Sequence, residues 1–116
     1  MSESIILGKS KAFAIRIINM YKHLTSTYKE FVLTKQVLRS GTSIGANVKE
    51  ALQGQSKADF ISKLNISLKE ASETEYWLEL LNKTDYISDK EFASIHKDCE
   101  ELIKLLTSII KTSKIK

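Results

Sequence analysis

The sequence predicts an all-α protein, an up-down-up-down antiparallel four-helix bundle that forms one domain over residues 1–116. Apolar residues recur at spacings of three and four in four long segments, which is the period of a helix with one buried face. The chain has no proline and only four glycines, so nothing interrupts long helices. The turns that a β-sandwich or barrel requires are missing.

The first helix is predicted from about Lys9 to Thr25, and its apolar residues cover more than half of the helix circumference. A surface helix needs an apolar stripe only about 100° wide. The excess predicts burial on two sides, by the helix's own bundle and by a partner subunit. The predicted oligomer interface comprises Phe13, Ile15 and Ile18 of this helix with Tyr76 and Trp77 of the third.

The second helix is predicted from near Thr34, a plausible N-cap, to near Gly54. Gly41 and Gly45 lie inside it, and each costs about 1 kcal/mol relative to alanine in a helix interior. They indicate either close approach of another helix or a break at residues 40–43. We favour a continuous helix, because the polar residues keep their phase through both glycines.

Those polar residues form a stripe along the second helix, since they recur at spacings of four, three, four and three. We call Gln36, Ser40, Ser43, Asn47 and Glu50 the polar stripe. It has three interpretations: a solvated face, a buried hydrogen-bond network that sets helix register or subunit contacts, or a site for a ligand or RNA. The short uncharged side chains favour the second, because a solvated face usually carries Lys and Glu.

The third helix is predicted from Ser56 or Lys57 to about Leu81, followed by a turn over residues 82–87. Its predicted inward positions are Phe60, Leu64, Ser67, Ala71, Thr74, Leu78 and Leu81. Ser88 and Glu91 predict a capping box that begins the fourth helix. That helix has the most regular period, with predicted core positions Phe92, Ile95, Cys99, Leu102, Leu106 and Ile109. The final residues, 112–116, are predicted to fray.

Charge is distributed unevenly along the chain, whose formal net charge is +4. Residues 4–49 carry eight basic residues against one acid, giving +7, whereas residues 70–101 carry ten acids against three lysines, giving −7. The basic residues predict contact with nucleic-acid backbones rather than base readout. The candidate binding residues are Lys9, Lys11, Arg16, Lys22, Lys35, Arg39 and Lys49. The alternative is that opposite charges simply meet between neighbouring helices.

No catalytic motif is visible, so we predict no enzyme, no catalytic residue, no metal and no cofactor. His96 and Cys99 lie three residues apart, but zinc prefers four ligands, and Asp98 and Glu100 are expected to point elsewhere. They are interpreted as a boundary histidine and a core cysteine. Glu75 lies near the inward rhythm of the third helix and would need Arg39 or Arg16 as a partner if buried.

The sequence also predicts a cytoplasmic protein with no membrane partner. One cysteine cannot form an intrachain disulfide and fits a reducing compartment. The N-terminal residues carry an acid and only a short apolar run, which does not match a signal peptide. No stretch approaches the roughly 20 apolar residues of a membrane span.

Residues 33–51 and 60–81 resemble the four-helix bundle proteins encoded in the intervening sequences of bacterial 23S ribosomal RNA genes. The accessory variability protein of diversity-generating retroelements is a relative of that family. The residues that carry the resemblance are Gln36, Arg39, Ser43, Ile44, Asn47, Glu50, Glu73, Tyr76 and Leu78. The resemblance implies bundles assembled into a ring, a pentamer. It also implies, from the retroelement relative, a basic ring surface that binds nucleic acid and a reverse transcriptase.

Two functions are therefore open. The first is a non-enzymatic homo-oligomeric bundle that binds RNA or DNA backbones through its first two helices. The second is a protein-interaction scaffold that uses its polar stripe and wide apolar first helix only for assembly. The partners would be further copies of the chain, RNA or DNA, and a reverse transcriptase or another protein.

Overall fold

The structure, a computed structural model, describes residues 2–115 and consists there of four long helices. They are α1 (Ser2–Tyr28), α2 (Leu33–Leu52), α3 (Lys57–Lys83) and α4 (Asp89–Ile115). The described residues contain no strand, and the molecule measures 47 × 21 × 19 Å. The predicted four-helix bundle is confirmed. No helix in the described range is long and apolar enough to cross a membrane.

Each helix packs against its neighbours in the chain, and α4 closes the bundle by meeting α1. The α1–α4 pair is the most loosely packed of the four neighbouring pairs. The inward rhythm predicted for α3 is confirmed from Leu64 onwards, whereas Phe60 is only partly buried. The buried positions are Leu64, Ser67, Ala71, Thr74, Leu78 and Leu81. On α4 the predicted seam holds from Ile95 to Leu106, but Ile110 is buried in place of Ile109, which is only partly buried.

Helix α1 is longer than predicted, since it begins at Ser2 rather than near Lys9. Ile6 is buried, and it lies one helical turn before the buried Ser10 and two turns before Phe13. The spacing of buried residues therefore continues upstream of the predicted start. The fraying predicted for residues 112–115 is also wrong, because α4 remains helical to Ile115. Residue 116, the last of that predicted segment, lies outside the described residues.

The N-terminus of α2 is capped by Glu30 rather than by Thr34. The Glu30 carboxylate accepts hydrogen bonds from the backbone N–H groups of Val32, Leu33 and Thr34, at 3.2, 3.0 and 2.8 Å. Thr34 lies inside the helix, and its hydroxyl donates to the Glu30 carbonyl at 2.7 Å. A carboxylate at this position satisfies N–H groups that have no partner within the helix and interacts favourably with the helix dipole.

The two interior glycines of α2 do not break the helix, which confirms the prediction of a continuous helix. They lie where α1 approaches closely. A Cβ added at Gly41 would lie 2.9 Å from Cγ1 of Ile17, and one added at Gly45 would lie 3.1 Å from Oγ of Ser10. Close approach is therefore the reason for glycine at both positions.

The other helix starts follow their sequence signals. The Ser56 side chain accepts a hydrogen bond from the Asp59 N–H at 3.0 Å, which caps α3. Ser88 and Glu91 form the predicted capping box, in which the Ser88 N–H donates to the Glu91 carboxylate at 2.8 Å and the Glu91 N–H donates to the Ser88 hydroxyl at 3.1 Å.

Candidate nucleic-acid interface

The seven predicted basic residues do not form one surface, and two of them face α4. Lys9 Nζ lies 3.3 Å from the Glu101 carboxylate. Arg16 donates to Asp98 at 2.7 Å and also contacts Ser94. Acids of the same chain therefore neutralise these two cations, as the alternative interpretation of the charges predicted.

A third basic residue, Arg39, belongs to the seam between α2 and α3. It bonds the Glu70 carboxylate at 3.3 Å and also the Glu73 carboxylate. Hydrogen bonds from the Trp77 indole, at 2.9 Å, and from Arg39 lower the pKa of Glu73. The bond to Glu73 raises the pKa of Arg39 above its usual value. All four side chains are thus committed to one another.

The remaining four candidates, Lys11, Lys22, Lys35 and Lys49, are exposed, and we call them the lysine face. Among residues 5–115, whose side chains the structure describes, none of them forms an ion pair. Lys11 and Lys22 are eleven residues apart on α1, which places them roughly 20° apart around the helix axis. Lys35 and Lys49 are fourteen residues apart on α2, which places them roughly 40° apart. Each pair therefore points to one side of its helix.

The two helices bring these pairs onto the same outer surface of the bundle. Lys11 and Lys49 line a shallow groove of about 210 Å³ between α1 and α2. Small residues separate them there, including Ala14, Thr42 and Ala46. Lys11 and Lys22 stand about 16 Å apart along α1, and Lys35 and Lys49 about 21 Å apart along α2. The result is a shallow strip with cations on both sides.

Among residues 5–115, whose side chains the structure describes, no carboxylate lies within ion-pair distance of these four lysines. The one acid in residues 4–49 is Glu30, whose carboxylate is used by the backbone at the start of α2. Burial opposes the ionisation of Glu30, but the hydrogen bonds from Leu33, Thr34 and Val32 outweigh it and lower its pKa. Glu30 therefore stays ionised at the cap, and the cations of the lysine face remain uncompensated within the described chain.

Two residues of the polar stripe, Ser40 and Glu50, bond to α3, whereas Ser43 and Asn47 bond carbonyls of their own helix. Ser40 is fully buried, and its hydroxyl bonds the Thr74 hydroxyl at 2.8 Å. Further along, Glu50 pairs with Lys63 at 2.9 Å, and Asn47 donates to the Ser43 carbonyl of its own helix at 2.8 Å. The stripe thus runs from buried to exposed, and its interhelical bonds set the position of α2 against α3.

Ser67 on α3, predicted only as an inward position, contributes to the same seam. Its hydroxyl donates to the Ile44 carbonyl at 2.8 Å, from one buried position to another. A run of Ser and Thr at inward positions of α3, opposite the serines of α2, is the sequence signal that indicates such bonds.

The predicted oligomer interface needs one correction. Phe13 is only 2% exposed and belongs to the subunit's own core, so it is not available to another subunit. Ile15 and Tyr76 are 52% and 54% exposed, whereas Ile18 and Trp77 are partly buried. These four residues remain candidates for the interface. Sequence reasoning did not include Tyr28, Phe31 and Val32, which are also exposed, at the connection between α1 and α2.

The partner of Glu75 is a histidine rather than an arginine. His96 Nε2 lies 2.8 Å from the Glu75 carboxylate, and His96 Nδ1 lies 3.5 Å from Glu100. Arg16 and Arg39, the predicted partners, are engaged elsewhere. The expectation that Glu100 points away from His96 is wrong, since residues four apart lie on the same side of a helix.

A family comparison agrees with this architecture. The family model of the 23S rRNA-intervening sequence protein matches residues 2–108 of the 116-residue chain. The chain belongs to this family. The resemblance carried by residues 33–51 and 60–81 is therefore confirmed.

A solved structure is similar to this chain along nearly all of its length. It is the crystal structure of a protein of unknown function from the S23 ribosomal protein family of Bacteroides thetaiotaomicron VPI-5482. The sequences are 60% identical, the match covers 96% of this chain and 99% of the other, and the TM-score is 0.94. No curated protein matches the chain.

Proposed function

We propose that this protein is a homo-oligomeric bundle that binds RNA or DNA backbones through the lysine face. The proposal rests on which basic residues form ion pairs within the chain and which do not. Lys9, Arg16 and Arg39 meet acids of their own chain, whereas the four lysines on the outer surface of α1 and α2 meet none in the described residues. Uncompensated cations on one shallow surface attract a polyanion and release its counterions when they bind phosphates.

The character of the surface favours phosphate contact without sequence readout. Apart from Leu7, the residues that line the groove between Lys11 and Lys49 are small, so a sugar-phosphate backbone can approach the helices. Lysine is a flexible point charge and carries no information about base identity unless it reaches a base edge. We therefore assign the lysine face to backbone binding of RNA or duplex DNA in a cytoplasmic setting. The single free thiol of Cys99 is compatible with that compartment.

Oligomerisation is the second part of the proposal. Ile15 and Tyr76 expose apolar surface on α1 and α3, and a partner subunit would bury it. The resemblance to ring-forming relatives implies a pentamer. A ring would repeat the lysine face once per subunit, so that a long polyanion contacts several subunits at once and gains affinity from multivalency.

A protein-interaction scaffold is the second candidate. A groove of about 510 Å³ between α1 and α4 favours it, because its floor is formed in part by the apolar residues Met20, Leu24, Ile87 and Ile95. If the lysine face served only solubility, this groove and the exposed apolar residues would be the functional surfaces.

The test compares two variants with the same loss of charge. In one, the four lysines of the lysine face are changed to glutamine. In the matched control the same change is made at four exposed lysines of α3 and α4: Lys69, Lys97, Lys104 and Lys111. Binding to an RNA hairpin and to a DNA duplex is measured over a salt series, with the oligomer mass recorded in every buffer.

We expect binding of the natural protein to weaken steeply with salt. Loss of the lysine face should weaken binding and reduce the slope of log K against log salt by about 3 to 4 per subunit engaged. The control should bind nearly as the natural protein does. Equal effects of both variants would refute a localised lysine face, and no binding at low salt by an intact oligomer would support the scaffold.

The oligomer has a separate test. Ile15→Asp places a charge on exposed apolar surface of α1, and Ile115→Asp is its control at an exposed position near the end of α4. We expect Ile15→Asp to give folded monomers by light scattering while the control keeps the mass of the natural protein. An unchanged mass for Ile15→Asp would exclude this part of α1 from the interface.

A further inference from the structure

Three metal-binding side chains that lie far apart in the sequence meet on the outer side of α3 and α4. Glu75 comes from α3, and His96 and Glu100 come from α4. One ligand atom from each of the three residues lies within 4.8 Å of the others. His96 Nε2 lies 2.8 Å from the Glu75 carboxylate, and His96 Nδ1 lies 3.5 Å from the Glu100 carboxylate.

The fold holds this cluster in place. His96 and Glu100 are four residues apart and therefore lie on the same face of α4, and the packing of α3 on α4 supplies Glu75. One turn earlier on α4, Phe92 stacks on the imidazole with ring centroids 4.8 Å apart and an interplanar angle of 21°. This stacking restricts rotation of the ring, so the direction of its nitrogens is set before any ion arrives.

The two carboxylates of the cluster share one partner among residues 5–115, whose side chains the structure describes. There Glu75 and Glu100 form ion pairs with His96 alone, whereas the neighbouring Glu70 and Glu73 have Arg39. When the imidazole is neutral, two carboxylates remain side by side without a compensating cation. A divalent cation would remove that repulsion.

We propose that Glu75, His96 and Glu100 bind a divalent transition-metal ion of the Zn²⁺ class, with water completing the coordination. One imidazole nitrogen and two carboxylate oxygens form a donor set that Zn²⁺ accepts in sites with an open position. Side-chain exposures of 23% for His96, 32% for Glu75 and 50% for Glu100 leave room for the water. Mg²⁺ and Ca²⁺ prefer oxygen ligands alone, so the imidazole selects against them.

The distances require only side-chain movement. Tetrahedral Zn²⁺ with ligands at about 2.0–2.2 Å separates its donor atoms by roughly 3.3–3.5 Å. The donor atoms of the cluster are now separated by between 2.8 Å and 4.8 Å. The Glu75 oxygen must therefore move slightly away from His96 Nε2, and donor atoms farther apart than the tetrahedral distance must move together. All three side chains are partly exposed, which permits both changes without moving either helix backbone.

Cys99, one turn further along α4, is not part of the site. Its thiol lies in the core and donates to the Ala71 carbonyl at 3.4 Å. Burial, reinforced by the charges of Glu75 and Glu100, raises the pKa of this thiol to about 12, which disfavours the thiolate that a metal binds.

The test is titration of the tag-free full chain with Zn²⁺, monitored by calorimetry, and with Co²⁺, monitored by visible absorption. The variants are His96→Ala and Glu75→Gln, and the matched controls are His23→Ala, at the other histidine of the chain, and Cys99→Ala. Far-UV circular dichroism verifies that every variant is folded before titration.

We expect one saturable site per chain in the natural protein and in both controls, and none in His96→Ala or Glu75→Gln. Bound Co²⁺ should show visible bands without thiolate charge transfer, and Zn²⁺ should raise the melting temperature of the natural protein but not of Glu75→Gln. Absence of a saturable site would overturn the proposal. Unchanged binding in His96→Ala, or a loss in His23→Ala, would overturn it as well. The result is independent of nucleic-acid binding, because none of these residues belongs to the lysine face.

Discussion

Replacement of Gly41 by alanine tests the packing of α1 on α2. In an isolated helix this change is favourable, because alanine is preferred over glycine by about 1 kcal/mol. In the bundle the added Cβ would lie 2.9 Å from Cγ1 of Ile17, 3.0 Å from Cγ2 and 3.3 Å from Cβ. All three atoms are close to the Ile17 backbone, and a β-branched side chain in a helix has one strongly preferred rotamer. Ile17 is fully buried and cannot turn away into solvent.

The expected net effect follows from these opposing terms. Overpacking in a well-packed core costs roughly 1–3 kcal/mol, and three contacts with a rigid neighbour place Gly41 at the upper end of that range. After the gain in helix propensity, we expect Gly41→Ala to destabilise the protein by about 1–2 kcal/mol. For a domain of this size that is a fall in melting temperature on the order of 5 °C.

Two other glycines of the chain provide matched controls for the same substitution. Among the atoms that the structure describes, none lies within 4 Å of a Cβ added at Gly8, so Gly8→Ala should retain the propensity gain and stabilise the protein by up to about 1 kcal/mol. At Gly45 the nearest atom is Oγ of Ser10 at 3.1 Å, and the effect of alanine should be close to neutral.

The assay is urea unfolding monitored by circular dichroism. The protein concentration is kept fixed, because the stability of an oligomer depends on concentration. The expected order of stability is Gly8→Ala, then the natural protein and Gly45→Ala, then Gly41→Ala. Gly41→Ala at or above the stability of the natural protein would refute the packing argument, as would Gly8→Ala falling as far as Gly41→Ala.

Two further predictions concern the ends and the seam of α2. Glu30→Gln should lower the free energy of unfolding by about 1 kcal/mol at neutral pH. Because the pKa of Glu30 is lowered in the folded state, its contribution is present above the usual value of 4.5 and lost as the pH falls below it. The two proteins should therefore converge in acid unfolding curves, and a constant difference down to pH 2 would contradict this. Thr74→Val should cost about 1–3 kcal/mol, because Ser40 then keeps only a 3.5 Å bond to the Val37 carbonyl. The double variant with Ser40→Ala should lose less than the sum of the single losses in denaturant unfolding, and strict additivity would show that the hydroxyls are not coupled.

Local signals account for the parts of the fold that the sequence predicted well. The spacing of apolar residues placed α3 and α4 correctly, and the capping box of Ser88 and Glu91 needed only residues three apart. The errors lay at the ends. Thr34 has the side chain of an N-cap, but Glu30 reaches the free N–H groups from the preceding turn, and side-chain type alone does not distinguish the two.

The candidate site, in contrast, could not be predicted from local signals. The sequence does not distinguish the seven basic residues, but the packing of the helices pairs some of them with acids and leaves others unpaired in the described part of the chain. Lys9 meets Glu101 across 92 residues, and Arg39 meets Glu70 across 31. The same packing brought Glu75 to His96 across 21 residues, where sequence reasoning had assigned an arginine.

The sequence by itself therefore determined the helices and their buried faces, because both depend on residues within one or two turns of each other. Only the tertiary structure decided which charges are neutralised and which remain on the lysine face. An ion pair requires two side chains from different helices to come within about 4 Å. One residue of offset turns a side chain by roughly 100° around its helix. The pairing of charges is thus set by how the helices are rotated and packed, and no local pattern records that.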